Sequence, residues 1–238
     1  MASVLRTHVG KVRAQNEDAA YRDDELKVYA VADGMGGHLA GEVASAMAID
    51  AIRSMAKGQA ASSAALGRAV SAAHEAIAAH ARENAACAGM GTTLSVLWRS
   101  GRTMYIAQVG DSRVYRMRGG RLQQITQDHS LVEELVRSGL ITREEARVHP
   151  RRNVITRALG TQGENTPDLF TEETQRGDLW LVCSDGLNSM ISDEEIAAQM
   201  AKAAGQGLAA AADALIGCAL DAGGRDNVTL ILYLNEEA

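Results

Sequence analysis

The sequence predicts an α+β fold in which antiparallel sheets are covered by helices. Segments with the alternating, β-branched pattern of strands follow one another closely, and segments with helical periodicity occur in separate blocks. This order differs from the regular strand–helix alternation of a parallel sheet, so antiparallel pairing is favoured. The 238-residue chain is 46% hydrophobic and only 3% aromatic, so its core must consist mainly of aliphatic side chains.

The strand predictions rest on short apolar or alternating runs that are bounded by turn residues. Clear examples are "LKVYAVAD", which stops before Gly34, and "VTLILYL" near the end of the chain. The predicted strands cover residues 3–9, 17–22, 27–32, 92–98, 103–109, 112–118, 121–126, 168–174, 178–184 and 227–234.

Two pairs of long helices are predicted between the strands. Residues 40–57 and 60–86 are rich in alanine, with Gly58 and Ser62 as boundary residues. Residues 192–204 begin with "SDEE", a capping serine followed by acidic residues of the first turn, and residues 207–222 follow as their partner. A further segment, 129–147, predicts two short helices that are interrupted at Gly139.

Composition excludes several classes of protein. A net charge of −6 and a pI near 5.5 argue against a nucleic-acid binder. The N-terminal residues lack the apolar segment of a signal peptide, and no run approaches the roughly 18 apolar residues of a membrane span. Three widely spaced cysteines without a CxxC motif indicate reduced thiols in a cytoplasm. Without a linker or a repeat, we expect one domain over residues 1–238, and we expect a monomer.

Acidic residues stand at the ends of several predicted strands. Each one alone is more typical of a turn, because Asp-Gly is a common turn dipeptide. Together they predict a cluster, which needs a counter-charge to be stable. Carboxylate oxygens suit Mg²⁺ and Mn²⁺, and no Cys/His cluster with zinc spacing occurs, so a magnesium or manganese site is favoured. The acids are Glu17, Asp18, Asp33, Asp111, Asp185 and Asp226.

The glycine-rich loop "ADGMGGHLAG" does not match a phosphate-binding loop. In the dinucleotide-binding pattern G-x-G-x-x-G, Leu39 stands where the third glycine belongs, and Asp33 would repel a pyrophosphate. No Walker A motif occurs in the chain. We therefore interpret the loop as one that holds metal, with Gly34 allowing a backbone carbonyl to approach closely.

These motifs resemble the bacterial metal-dependent serine/threonine protein phosphatases of type 2C, the PPM family. The matching stretches are "RAQNED", "ADGMGGH", "GTT", "VGDSRVY", "DHSLV", "SDGL" and "GRDNVT", and they run in family order from residue 13 to residue 229. The resemblance implies an α+β fold of the four-layer αββα sandwich type, in which two central antiparallel β-sheets are flanked by pairs of antiparallel helices. It also implies a flap subdomain at roughly 140–165.

The resemblance assigns a role to each acidic residue. Asp33 would bridge two tightly bound Mn²⁺ or Mg²⁺ ions, with the Gly34 carbonyl as a further ligand. Asp18 would orient a metal-bound water, and Asp111 would hold a third, weaker ion that it shares with Asp185. The residues implied as metal ligands are Glu17, Asp33, Gly34, Asp111, Asp185 and Asp226.

The implied chemistry is hydrolysis of phosphoserine and phosphothreonine by direct attack of a metal-bridging hydroxide. Arg13 matches the arginine that clamps the substrate phosphate, which suits a planar guanidinium. No residue six positions after a cysteine is an arginine, so a cysteine-nucleophile mechanism is excluded. His38 is the candidate general acid, or alternatively a residue that structures the glycine turn. Eukaryotic members carry histidine directly after Asp-Gly, where this chain has Met35.

The segment 142–160 carries five arginines and matches the flap of the family. Arg151 and Arg152 are expected to attract phosphopeptides, because basic groups beside a cleft steer anionic substrates. The alternative is a solvated, charged loop.

The expected function is that of a phosphoprotein phosphatase that opposes bacterial Ser/Thr kinases, so phosphorylated proteins and such kinases are its expected partners. Two alternatives remain. One is a catalytically silent regulator that binds phosphoprotein, and the other is a phosphatase of small phosphoesters or nucleotides.

Overall fold

The structure, a computed structural model, describes residues 2–36, 40–163 and 165–237. In chain order its strands are β1 (Ser3–His8), β2 (Asp18–Asp23), β3 (Val28–Met35), β4 (Gly91–Thr92), β5 (Leu94–Ser100), β6 (Thr103–Val109), β7 (Arg113–Arg118), β8 (Arg121–Gln124), β9 (Asp168–Glu173), β10 (Leu179–Cys183) and β11 (Val228–Leu234).

The helices form two groups, one before β4 and one after β8. In chain order they are α1 (Ala40–Gly58), α2 (Ser63–Glu83), α3 (Leu131–Arg137), α4 (Arg143–Val148), α5 (Asp185–Asn188), α6 (Asp193–Ala201), α7 (Ala203–Gln206) and α8 (Leu208–Asp221). A single 3₁₀ turn follows α2 at Ala85–Cys87. None of the helices in the described part of the chain is both long and apolar enough to cross a membrane.

The strands form two antiparallel sheets. The first has the order β1-β11-β10-β7-β8, and the second has the order β2-β3-β5-β6-β9, with β4 pairing on β3. The chain passes from the second sheet to the first between β6 and β7. This short connection contains Asp111.

Three apolar layers hold the sheets and helices together. Aliphatic side chains of α1 and α2, such as Ile52 and Leu66, pack on the outer face of the second sheet. Residues of α6 and α8, such as Leu215, pack on the outer face of the first sheet. Between the sheets lies a layer that contains Tyr29 and Trp180. The predicted four-layer αββα sandwich is therefore confirmed.

The predicted strand positions are confirmed to within one or two residues, with one correction. Asp33 was expected to end its strand, but β3 continues to Met35 because Gly34 and Met35 pair with Thr92 and Gly91 of β4. The structure also shows two short elements that the sequence did not predict, β4 and α5. Neither is long enough to show a periodic pattern.

Candidate metal centre

Carboxylates from both sheets meet at one end of the sandwich. In the antiparallel register of β2 and β3, Asp33 lies opposite Asp18. Burial, together with the charges of Asp18, Asp185, Asp111 and Asp226, raises the pKa of Asp33 well above its ordinary value. The structure thus brings together five of the acids that the sequence pattern predicted to cluster.

Close backbone packing positions Asp33 and Glu17. A Cβ atom at Gly34 would lie 2.1 Å from the carbonyl oxygen of Gly41 and 2.6 Å from that of Glu17. The Gly34 amide donates to the Glu17 carbonyl oxygen at 3.2 Å, and the Ser45 hydroxyl donates to the same oxygen at 2.6 Å. Glycine is therefore required at position 34, because a side chain would separate β3 from Glu17 and from the first turn of α1.

Asn227 fixes the segments that carry Asp226 and Glu17. Its Nδ2 donates to the carbonyl oxygens of Val9 and Gln15, each at 2.9 Å, and its Oδ1 accepts from the Glu17 amide at 2.8 Å. A Cβ atom at Gly186 would lie 1.9 Å from the Asn227 carbonyl oxygen, so the segment after Asp185 packs directly on this residue. The last motif of the chain, "GRDNVT", thus joins three parts of the cluster.

Burial makes these carboxylates difficult to ionise together. It raises the pKa of Asp18 to about 7 and that of Asp185 to about 6, and the charge of Asp226 adds to both effects. Burial also raises the pKa of Asp111 well above its ordinary value, with the charge of Asp185 contributing. Asp18 Oδ2 accepts from the Ser184 hydroxyl at 2.8 Å.

Two oxygens of the cluster lack any partner. Asp18 Oδ1 and Asp111 Oδ1 are buried, and neither has a hydrogen-bond partner among the described residues. An unsatisfied buried carboxylate oxygen is costly unless a proton or a cation neutralises it. The donor set, which consists of carboxylates with a backbone carbonyl at Gly34, fits a hard divalent cation such as Mg²⁺ or Mn²⁺.

The fit does not depend on a closed cage. Across residues 2–36, 40–163 and 165–237, no three His, Cys, Asp or Glu side chains are arranged to enclose one ion. Mg²⁺ usually keeps several waters and is held by only one or two carboxylates, so such a cage is not required.

Arg13 is the basic residue that contacts the cluster directly. Its Nη2 donates to Asp226 Oδ2 at 2.8 Å, and this hydrogen bond raises the pKa of Arg13. The guanidinium is half exposed and makes no other hydrogen bond to a residue that the structure describes. His38, the predicted general acid, lies outside the described residues, so its role stays a prediction.

A cleft opens beside the cluster, between helices α3 and α4 and the first sheet. Asp111 and Asp185 line its floor, and its space is about 900 Å³ including the solvent-filled mouth. Arg152 lines this cleft and is half-buried, whereas Arg151 is exposed and does not line it. The prediction had treated both arginines alike, and it missed Arg147 of α4, which also lines the cleft.

The comparison with known proteins agrees with these observations. A family model described as Protein phosphatase 2C matches residues 8–216. The chain belongs to the protein phosphatase 2C family. This membership confirms the resemblance found in the motifs. Of the clustered acids, Asp226 lies beyond the matched range.

Several phosphatase 2C relatives are similar over nearly all of this chain. The serine/threonine protein phosphatase PstP of Mycobacterium tuberculosis is 44% identical over 231 residues, which is 95% of this chain but 43% of PstP. This chain therefore spans less than half the length of that relative. The serine/threonine phosphatase Stp of Listeria welshimeri is 38% identical, over 98% of this chain and 95% of Stp. A crystal structure of the PstP catalytic domain in complex with two manganese ions has a TM-score of 0.88 and 39% identity, over 98% of this chain and 96% of that one.

In this phosphatase 2C chain, a buried histidine holds the loop that carries Asp111. The His129 amide donates to the Gly110 carbonyl oxygen at 2.9 Å, and the Gly110 amide donates to His129 Nδ1 at 3.2 Å. His129 Nε2 lies 3.1 Å from Asp168 Oδ2 at the start of β9. Because Nδ1 accepts, Nε2 carries the proton and donates to Asp168. The sequence gives no signal of this role, since the partners of His129 are distant in the chain.

The "GTT" motif of the phosphatase 2C chain links β3, which carries Asp33, to the connection that carries Asp111. The Thr93 amide donates to the Asp33 carbonyl oxygen at 2.9 Å, and the Asp33 amide donates to Thr93 Oγ1 at 3.0 Å. The same hydroxyl lies 2.7 Å from Ser112 Oγ, next to Asp111. A threonine at position 93 thus connects the two sheets at the point where their carboxylates meet.

Proposed function

We propose that this chain is a metal-dependent protein phosphatase that hydrolyses phosphoserine and phosphothreonine. The observation that carries the proposal is the cluster of Asp18, Asp33, Asp111 and Asp185 in a chain of the phosphatase 2C family. Its pKa values are raised, and Asp18 Oδ1 and Asp111 Oδ1 have no hydrogen-bond partner among the described residues. A cluster of this kind is unfavourable for stability alone, and it is useful for binding cations.

Two Mn²⁺ or Mg²⁺ ions are the cofactors that we propose, with a third ion bound more weakly. The carboxylates of Glu17, Asp33, Asp185 and Asp226 and the Gly34 carbonyl would hold the pair, and Asp111 would share the third ion with Asp185. When bound, such ions acidify water and neutralise charge on phosphoryl oxygens. The manganese pair in the crystal structure of PstP supports this proposal.

The chain's own residues position the substrate and the water. Arg13 uses one nitrogen for Asp226, so its remaining N–H groups are available to two oxygens of a phosphoryl group. Asp18 accepts from Ser184 through Oδ2, which leaves Oδ1 to accept a hydrogen bond from a water. His38 would protonate the leaving serine or threonine oxygen.

We further propose that residues 1–238 act as one catalytic domain, with residues 140–165 as its flap, and that this domain is a monomer. Phosphorylated proteins are its proposed substrates, and bacterial Ser/Thr kinases are the proposed source of their phosphate. The cytoplasm is the proposed compartment, which the free thiols of Cys87, Cys183 and Cys218 support. The carboxylate set argues against a catalytically silent regulator, because such a protein needs no divalent site.

A comparison of three substrates tests the function. The chain should hydrolyse a phosphothreonine peptide and p-nitrophenyl phosphate with Mn²⁺, should lose this activity in EDTA, and should turn over a nucleotide far more slowly. Arg13→Ala should lower kcat/KM for every substrate, because Arg13 acts on the phosphate itself. Full activity in excess chelator would refute the metal site, and binding of phosphopeptide without turnover would favour the silent regulator.

A further inference from the structure

The walls of the cleft beside Asp111 and Asp185 contain arginines, acids and apolar side chains. On the flap side it is lined by α3 and α4, and on the opposite side by α5 and the first turn of α6. An apolar surface, against which a peptide can pack, is formed by Val132, Val136 and Ala146. Because its floor is part of the carboxylate cluster, a substrate whose phosphate reaches the cluster must extend into or past this cleft.

Two of the arginines in the cleft are already neutralised by acids. Arg113 binds Asp128 through Nε and Nη2, at 2.6 to 3.0 Å, and its Nη1 donates to Tyr115 at 2.9 Å. Arg143 Nη2 lies 3.6 Å from Glu133 Oε1. These groups build the walls of the cleft and leave little charge for a ligand.

Arg152 and Arg147 retain their hydrogen-bonding capacity. The Arg152 guanidinium makes no hydrogen bond or ion pair with any residue in the described ranges, although the residue is half-buried in the cleft wall. Among the described residues, Arg147 makes one long side-chain hydrogen bond, from Nη2 to the Ile191 carbonyl oxygen at 3.3 Å. A guanidinium has five N–H donors, so nearly all the donors of both side chains are unused.

Arg152, Asp111 and Asp185 line the same cleft, so the basic wall is close to the place of the reacting phosphate. An extended peptide spans roughly 10 Å in about three residues. An anion on the wall would therefore belong to a residue that is close in sequence to the phosphorylated one. Guanidinium groups bind carboxylates and phosphoryl groups best, through paired hydrogen bonds.

We propose that Arg152, assisted by Arg147, binds a second anionic side chain of the substrate, within about three residues of the phosphoserine or phosphothreonine. The anion is a carboxylate or a second phosphoryl group, which share this recognition chemistry. The proposal rests on the proposed phosphatase function, and it makes the cleft a site that selects acidic or multiply phosphorylated peptides.

The test compares three peptides and three single variants. The peptides share one sequence around a phosphothreonine and differ at one neighbouring position, which is glutamine, glutamate or phosphoserine. The variants are Arg152→Gln, Arg151→Gln and Arg137→Gln, which remove the same charge. Arg151 is adjacent in sequence but outside the cleft, and Arg137 lies on the exposed face of α3. Site-resolved mass spectrometry follows phosphothreonine alone, since the second phosphate is itself a substrate.

The unchanged protein should prefer the glutamate and phosphoserine peptides, and Arg152→Gln should lower kcat/KM for these two by about tenfold, as expected for a lost charge-assisted hydrogen bond. The glutamine peptide and p-nitrophenyl phosphate should change by less than about twofold. Arg151→Gln should cause a small loss that disappears at high salt, and Arg137→Gln should leave all rates unchanged.

Each contrary result has a separate meaning. Equal losses for Arg151→Gln and Arg152→Gln, both abolished by salt, would overturn the site and leave only long-range attraction. The same loss on the glutamine peptide would overturn it in favour of a structural role for Arg152. If Arg152→Gln lowers kcat/KM for only one of the glutamate and phosphoserine peptides, the anion of that peptide is the one that the site binds. If the unchanged protein hydrolyses none of the substrates, the proposed function fails, and this inference fails with it.

Discussion

In the absence of divalent cations, the folded state of this protein should become less stable as the pH rises from about 5 to about 8. The cause is the carboxylate cluster, in which burial raises the pKa of Asp18 to about 7 and that of Asp185 to about 6 from the ordinary value of 3.8. Carboxyl groups with raised pKa values bind protons more tightly in the folded state than in the unfolded state. Their contribution to stability is complete below the unfolded pKa and is lost as the pH passes the folded pKa.

The size of this loss follows from the two pKa values. Between about pH 5 and about pH 8, Asp18 loses about 3 kcal/mol and Asp185 about 1 kcal/mol, or about 4 kcal/mol together. For a chain of 238 residues this lowers Tm by an amount on the order of 10 °C. Asp168 and Asp178 have lowered pKa values, so their contributions are already complete above pH 5 and add no slope.

Differential scanning calorimetry in EDTA and in Mn²⁺, over this range of pH, measures the effect. In Mn²⁺ the trend should reverse, because metal binding requires deprotonated carboxylates and the stabilisation grows with pH. Asp18→Asn should reduce the slope in EDTA, because it removes the share that Asp18 contributes. Asp213→Asn is the control, since Asp213 is exposed and bound to Arg6 far from the cluster, and it should leave the slope unchanged.

A Tm in EDTA that is constant or rises between these pH values would refute the reasoning. It would mean that the carboxylates ionise in the folded protein without penalty. An unchanged slope in Asp18→Asn would place the titrating groups elsewhere.

Three further predictions concern single residues of the site. Asp226→Ala should abolish nearly all turnover, because it disrupts the paired ions. Asp111→Ala should lower turnover but still bind two ions, as measured by calorimetric titration. Loss of all ions in Asp111→Ala would contradict the third-ion assignment. Gly34→Ala should destabilise the fold by about 3 kcal/mol in urea denaturation, because its Cβ would lie 2.1 Å from a carbonyl oxygen, while Gly58→Ala, with nothing within 4 Å, should be neutral. His129→Asn keeps an acceptor near Nδ1 for the Gly110 amide, and His129→Gln keeps a donor near Nε2 for Asp168. The Asn variant should therefore retain more Mn²⁺ affinity at the Asp111 site. The opposite order of affinities would show that Asp168 is the essential partner.

Much of the architecture follows from local pattern. Strands such as β6 and β11 were predicted closely because their apolar runs are bounded by turn residues on both sides. The ends of α2 differ from the prediction because Ser62 caps the helix at Ser63, and the alanine-rich sequence beyond Glu83 forms a 3₁₀ turn instead of continuing the α-helix. Alanine favours a helix but does not specify where it ends.

Some residues of the candidate site could likewise be predicted from local sequence, and others could not. The acids could be identified because each stands at or near the end of a predicted strand in a distinctive motif. The roles of Thr93 and His129 could not, since each depends on a partner that only the fold brings near, Ser112 for one and Asp168 for the other. Arg151 and Arg152 are indistinguishable in the sequence, and only burial separates them.

The aromatic layer between the sheets has a consequence for the order of folding. The rings of Tyr29 and Tyr233 stack with centroids 4.6 Å apart, and they stand on β3 and β11, the strands that carry or follow Asp33 and Asp226. Neither sheet alone holds the carboxylate cluster, so an intermediate with one sheet formed has no place for an ion. Ion binding must follow the docking of the sheets, and divalent cations should slow unfolding without accelerating folding.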